Sequence, residues 1–256
     1  MTKRQKFILT SFLLSGGLLL IQIADVSWRY LAIGLLTFVT PILTIWSLWE
    51  ALGGIRWLTT LILPTLLTVS VGLFYFLLPT SWLSRLPVAA AFAVGMYALL
   101  LTENIFSVAA IRTIQLFRAA SAVGFLLTLF VAFLLYDTIF SFRLDFWMNS
   151  VLVYIASWPL LFHGFWAVNL EEKITSKLLI YSFSLALVLA EIGGVISFFP
   201  LTVAMSSLFL TTGMYVLLGL TQAYFAERLF RQTVWEYIGV GTVVLVIMLA
   251  TARWGG

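Results

Sequence analysis

Apolar residues in this chain come in long runs broken by short polar clusters. Nine of these runs approach the roughly 20 residues that a helix needs to cross a bilayer. They fall at 7–23, 29–49, 57–78, 88–110, 119–140, 146–168, 178–198, 201–224 and 235–252. The pattern predicts an all-α fold: a polytopic transmembrane helix bundle of nine spans, one integral-membrane domain over residues 1–256. The longest polar connections are NLEEKITSK (169–177) and AERLFRQTVWE (226–236), too short for a soluble domain. The start, MTKRQK before an apolar run, has the form of a signal peptide. IQIADV lacks small residues at both −3 and −1, so the run is read as an uncleaved first helix.

Composition agrees with that division. The chain is 62% hydrophobic and 9% charged, against about a quarter charged in soluble domains, so its solvent is lipid. With the N-terminus in the cytoplasm, the inner segments hold Lys3, Arg4, Lys6, Arg56, Arg112, Arg118, Lys173, Lys177, Arg228 and Arg231. The outer ones hold Arg29, Arg85, Arg143 and Arg253. That asymmetry obeys the positive-inside rule and places the C-terminus outside. Trp28, Trp46, Trp49, Trp57, Trp82, Trp147, Trp166, Trp235 and Trp254 lie near predicted span ends, as an interfacial belt requires, and Trp158 lies mid-span. The net charge of +4 reflects this anchoring and not a nucleic-acid partner.

The fourth run raises a sharper question, because LLLTENIFSVAAIR carries Glu103 and Asn104 into an apolar stretch. From Val88 to Leu101 a helix would rise only about 21 Å, short of a hydrocarbon core of about 30 Å; continuing to Ala110 gives about 35 Å. Glu103 is therefore expected inside the bilayer, in its cytoplasmic half. On a helical wheel Glu103, Asn104, Ser107, Gln115 and Arg118 share a third of a turn, a stripe that should face other helices. The competing arrangement ends the span near Leu101 and lays 103–118 on the surface as an amphipathic helix.

Two more intramembrane polar groups stand out. His163, in WPLLFHGFW, shares a leaflet with Glu103 and follows Pro159, which leaves the carbonyl of Ile155 without its helical donor. The two side chains form either a proton-accepting pair or unrelated contacts, His163 then being a bonded core residue. Glu191 opens EIGG, where Gly193 and Gly194 permit close approach of a neighbour. An acid there belongs to an ion or substrate path or to a buried structural bond. Asp137, Asn149, Gln22 and Asp25 sit near span ends, within reach of interfacial water. Pro41 and Pro64 predict kinks, which are common in membrane helices. Hydroxyls such as Thr211 ordinarily bond back to their own helix.

Catalytic signatures are missing from the sequence. There is no phosphate loop, no H-E-x-x-H and no G-x-S-x-G. The chain has no cysteine and one histidine, so a Cys/His metal site is not expected, nor is any cofactor. All four lysines lie outside the predicted spans, which excludes a retinal Schiff base.

The stretch LTENIFSVAAIRTIQLFRAASAVGFLL (Leu101 to Leu127) resembles a segment of a family of uncharacterised multi-pass bacterial membrane proteins. The resemblance implies residence in the bacterial inner membrane and carries no assigned activity. Two functions from different classes follow from the residues. One is a permease-like protein or transporter subunit, with Glu103, Asn104, His163 and Glu191 along a path for a proton, ion or small solute. The other is a non-catalytic scaffold or assembly partner, whose polar groups lock helices of its own chain or of other membrane subunits. The bilayer is the partner common to both.

Overall fold

The computed structural model describes residues 1–21, 28–78, 82–111 and 115–252. Among them are nine helices long and apolar enough to span a membrane. They are α1 (Lys3–Ile21), α2 (Arg29–Leu48), α3 (Arg56–Leu77), α4 (Trp82–Ala109), α5 (Phe117–Ser141), α6 (Phe146–Asn169), α7 (Ser176–Ile196), α8 (Val203–Phe225) and α9 (Arg231–Thr251). No strand occurs among the described residues. The expectations for Gln22, Asp25, Arg112, Arg253 and Trp254 lie outside them.

Helix starts differ from the apolar runs for local reasons. The first helix begins at Lys3, not Phe7, because Thr2 and Gln5 form a capping box. The Gln5 N–H donates to Thr2 Oγ1 at 3.4 Å, and the Thr2 N–H donates to Gln5 Oε1 at 2.8 Å. The fourth begins at Trp82, five residues before Pro87. Pro87 deprives only the carbonyl of Leu83, a residue 89% exposed, of a donor. At its other end α4 runs through Glu103 to Ala109, so the surface-helix arrangement does not hold. A turn at 110–111 then parts Gln115 and Arg118 from the polar stripe, which is not one continuous helix.

The chain divides into two compact units. Unit 1 comprises Met1–Leu127 with Leu170–Lys173, and unit 2 comprises Thr128–Asn169 with Ile174–Gly256. In unit 1, α1 packs on α2, α2 on α3, α3 on α4 and α4 back on α1, closing a four-helix ring. Side chains fix the register of that ring. Lys3 pairs with Glu50 at 3.1 Å and Lys6 lies over the Trp46 ring at 5.6 Å. The Thr40 hydroxyl donates to Thr68 at 3.0 Å, and Ser15 donates to the carbonyl of Ala89 at 2.8 Å.

Unit 2 is built on α6 and α7, its most closely packed pair, with α8 against both and α9 against α8. The seam between α6 and α7 depends on a missing side chain. A Cβ on Gly193 would stand 3.1 Å from Cγ2 of Val153. In the same way the Tyr237 ring of α9 rests directly on Gly219 of α8. Side chains of α5 join this unit: Tyr136 and Ser157 hydroxyls bond at 2.7 Å, and Ser207 donates to Asp137 Oδ1 at 3.1 Å.

Most described tryptophans keep to the exposed belt, Trp28, Trp49 and Trp235 among them. Trp166 lies near a helix end too, three residues before the last of α6. It is buried, with its ring 6.1 Å from that of His163.

Candidate functional site

The inner face of α4 organises unit 1. Arg85, Ala89, Phe92, Met96, Leu99, Leu100, Glu103, Phe106 and Ser107 are all buried there, at the three- and four-residue spacing of one helix face. Arg85 and Glu103 are eighteen residues apart, five full turns, and so point the same way. Arg85 stacks on Tyr75 of α3 at 5.2 Å. Glu103, at the other end, is 0% exposed. The apolar middle of the face shows why α4 alone cannot carry a polar path between them.

Hydroxyls on the other three helices supply what α4 lacks. Thr10, Ser11 and Ser15 of α1, Thr40, Thr44 and Ser47 of α2, and Thr59, Thr60, Thr68 and Ser70 of α3 are all buried. Among the described residues, the buried hydroxyls of Thr10, Thr44, Thr60 and Ser107 have no hydrogen-bond partner, and neither has Oδ1 of Asn104. Each of the four helices thus contributes at least one such hydroxyl.

Arg56 closes that end. Its Nη1 donates to the carbonyl of Ser107 at 3.0 Å and its Nε to that of Gly53 at 3.1 Å. A guanidinium here satisfies a last-turn carbonyl of α4 and complements the negative end of its dipole. Arg56→Leu is expected to lower the thermal stability of the purified chain by about 2 kcal/mol, since hydrogen bonds from charged donors contribute about 1.5–3. Arg56→Lys should recover less than half, because one ammonium cannot reproduce the fork.

The other two predicted residues lie in unit 2 and are held apart. His163 is buried on α6, one residue before Gly164, whose carbonyl accepts from Gln222 Nε2 of α8 at 2.9 Å. Glu191 is exposed, on the outward face of α7. Because Gly193 packs on Val153, ten residues from His163, Glu191 and His163 differ in height by more than 10 Å at 1.5 Å per residue. The sequence also held a signal for the direction of Glu191: residues two apart on a helix point about 200° apart, and Gly193 marks the contact face.

Several contributors were not singled out in the sequence. Thr10, Thr44, Thr60 and Gln222 look like ordinary helix-bonded polar residues, and Arg56 looks like a loop charge. An apolar groove of about 310 Å³ in unit 2, lined by Ile192, Phe209, Val216 and Leu245 among others, offers no convergent polar groups. Its threonines, Thr212 and Thr242, bond back to Leu208 and Ile238. Among the described residues no three His, Asp or Glu side chains gather as metal ligands would.

Comparison with known proteins gives one family. The family described as "Protein of unknown function (DUF5656)" matches residues 31–251. No curated protein and no solved structure matches the chain.

Proposed function

The chain belongs to the DUF5656 family, whose description assigns no activity, and we propose that it is a permease-like membrane protein or the membrane subunit of a transporter. In this reading a proton, ion or small solute passes through unit 1 at Glu103 and Asn104, and His163 is a separate buried polar group of unit 2. The protein sits in a bacterial inner membrane with its N-terminus in the cytoplasm. The observation that carries the reading is the burial of Glu103 at 0% exposure in a ring whose four helices all carry buried hydroxyls. Glu103 lies six residues from the C-terminal end of α4, and intramembrane acids that face a bundle interior line ion and proton pathways.

The chain has no cysteine, so Glu103→Cys can be labelled without background. A small membrane-impermeant thiol reagent, applied to everted and right-side-out vesicles, is expected to modify Cys at 103 and leave Leu101→Cys unmodified. Silence at 103 from both sides, in folded protein, overturns the reading. The scaffold alternative is favoured by Glu191, whose exposed position on α7 suits a donor from another membrane subunit or a second copy. Under that alternative Glu103 is a dry helix lock.

A further inference from the structure

Hydroxyls within a helix ordinarily bond back to a carbonyl three or four residues earlier. Thr40, Thr65, Thr68 and Thr102 do so at 2.7–3.0 Å. Thr10, Thr37, Thr44 and Thr60 do not, and their buried hydroxyls have no hydrogen-bond partner among the described residues. Two of them occupy special positions. Proline has no N–H, so Pro64 gives nothing to the carbonyl of Thr60, and Pro41 gives nothing to that of Thr37. Thr37 and Thr60 therefore each pair a carbonyl deprived of its helical donor with an unsatisfied hydroxyl on the same residue. Water is the ligand matched to such a pair, since it donates and accepts at once, and it is a known remedy for proline-freed groups in membrane helices.

The register of the ring puts these groups in sequence. We take Lys3 with Glu50, Ser15 with Ala89 and Thr40 with Thr68 as level. At 1.5 Å per residue, Thr60 then lies about 6 Å above Glu103 along the bundle, Thr44 and Thr10 about 6–8 Å above Thr60, and Thr37 about 10 Å above Thr44. The bonded pair Thr40–Thr68 fills the last interval. A step of about 5–6 Å is what one bridging water covers with two hydrogen bonds, and two waters in line cover about 8 Å.

We propose that unit 1 binds a file of ordered water from Ser107 and Glu103 through Thr60, Thr44 and Thr10 to Thr37, and that the species it moves is the proton. The proposal rests on the path reading above and names its substrate. Each oxygen in the file takes one proton on one side and releases one on the other. The file is left with its donors reversed, and only O–H bonds have been broken and formed. Glu103 takes a proton as carboxylate and hands it on as the acid.

The test uses Thr44→Val and Thr60→Val in the full chain, purified for thermal unfolding and reconstituted in liposomes with an entrapped pH dye. If the hydroxyls hold water, valine lowers the unfolding midpoint and potential-driven proton uptake falls to that of protein-free liposomes, while the serine variants retain it. If the hydroxyls are dry, valine removes an unsatisfied polar group and the midpoint rises, which overturns the file. Should the valine variants not fold, radiolytic footprinting of the unaltered chain decides. Oxidation at buried Leu63 and Leu67, on the same face of α3 as Thr60, is expected, and its absence overturns the proposal. A labelled Glu103→Cys with a raised valine midpoint sinks the water file alone. An unlabelled Glu103→Cys sinks the path reading itself.

Discussion

Gly193→Leu is expected to destabilise unit 2 by about 3 kcal/mol, at the upper end of the usual cost of overpacking. Even a bare Cβ at this position stands 3.1 Å from Val153, so the neighbour must already give by a few tenths of an ångström. Val153 has little to give. It is 0% exposed, and a β-branched side chain on a helix has essentially one rotamer. The further carbons of leucine therefore force α6 and α7 apart along their closest seam. Gly193→Ala should cost about 1 kcal/mol by the same reasoning. Adding Val153→Ala to Gly193→Leu should recover at least about 1 kcal/mol, the coupling expected of residues in contact. Thermal or detergent unfolding of the four proteins measures it. A leucine variant as stable as the parent would mean that the seam is looser than its geometry.

The second large effect is on function. Glu103→Gln is expected to leave the amount of folded protein nearly unchanged and to cut flux by about 100-fold or more, the lower bound for losing a positioned proton-transfer group. Glutamine matches the shape and keeps two oxygen- and nitrogen-based bonding positions, but it cannot take up and release a proton. Glu103→Asp keeps the chemistry on a shorter stem and should fall between the two. Flux into liposomes under an imposed potential, compared at equal incorporation, supplies the measurement. Wild-type flux in Glu103→Gln would leave the carboxyl a structural group only.

Much of this architecture was legible in the sequence, for reasons that differ from element to element. The nine spans follow from length and hydropathy, because lipid tolerates no other backbone solution for runs this apolar. The helical setting of Glu103 was read from a span starting after Pro87, but α4 starts at Trp82. From there to Leu101 a helix already rises about 30 Å, so the continuation through the acid rests on α4 itself and not on the arithmetic. Boundaries were harder. The Thr2–Gln5 box outweighs the charges of Lys3, Arg4 and Lys6, and Pro87 costs little where the affected carbonyl is exposed. The division into two units left no mark, because it falls inside α5, between Leu127 and Thr128, with no linker. Trp166 lies near a span end as expected, three residues before the end of α6, but its burial left no mark in the sequence, since position near an end does not say what covers a side chain. The unbonded hydroxyls of the proposed file stayed hidden behind a sound rule, that helical threonines bond to themselves. Its trace was the repeated spacing of threonine four residues before proline, at Thr37–Pro41 and Thr60–Pro64.

The closure of the four-helix ring also has a consequence in time. Ser15 on α1 finds its acceptor at Ala89 on α4, 74 residues later. At a synthesis rate of about 5–20 residues per second, that interval is about 4–15 s. Throughout it, α1 waits in or beside the insertion machinery with the Ala89 acceptor not yet made, and α2 and α3 cannot complete the ring without α4. Glu103, the acid of the proposed path, arrives on that same closing helix, fourteen residues behind Ala89. Assembly of unit 1 and delivery of its central carboxyl are thus a single late event in the life of the nascent chain.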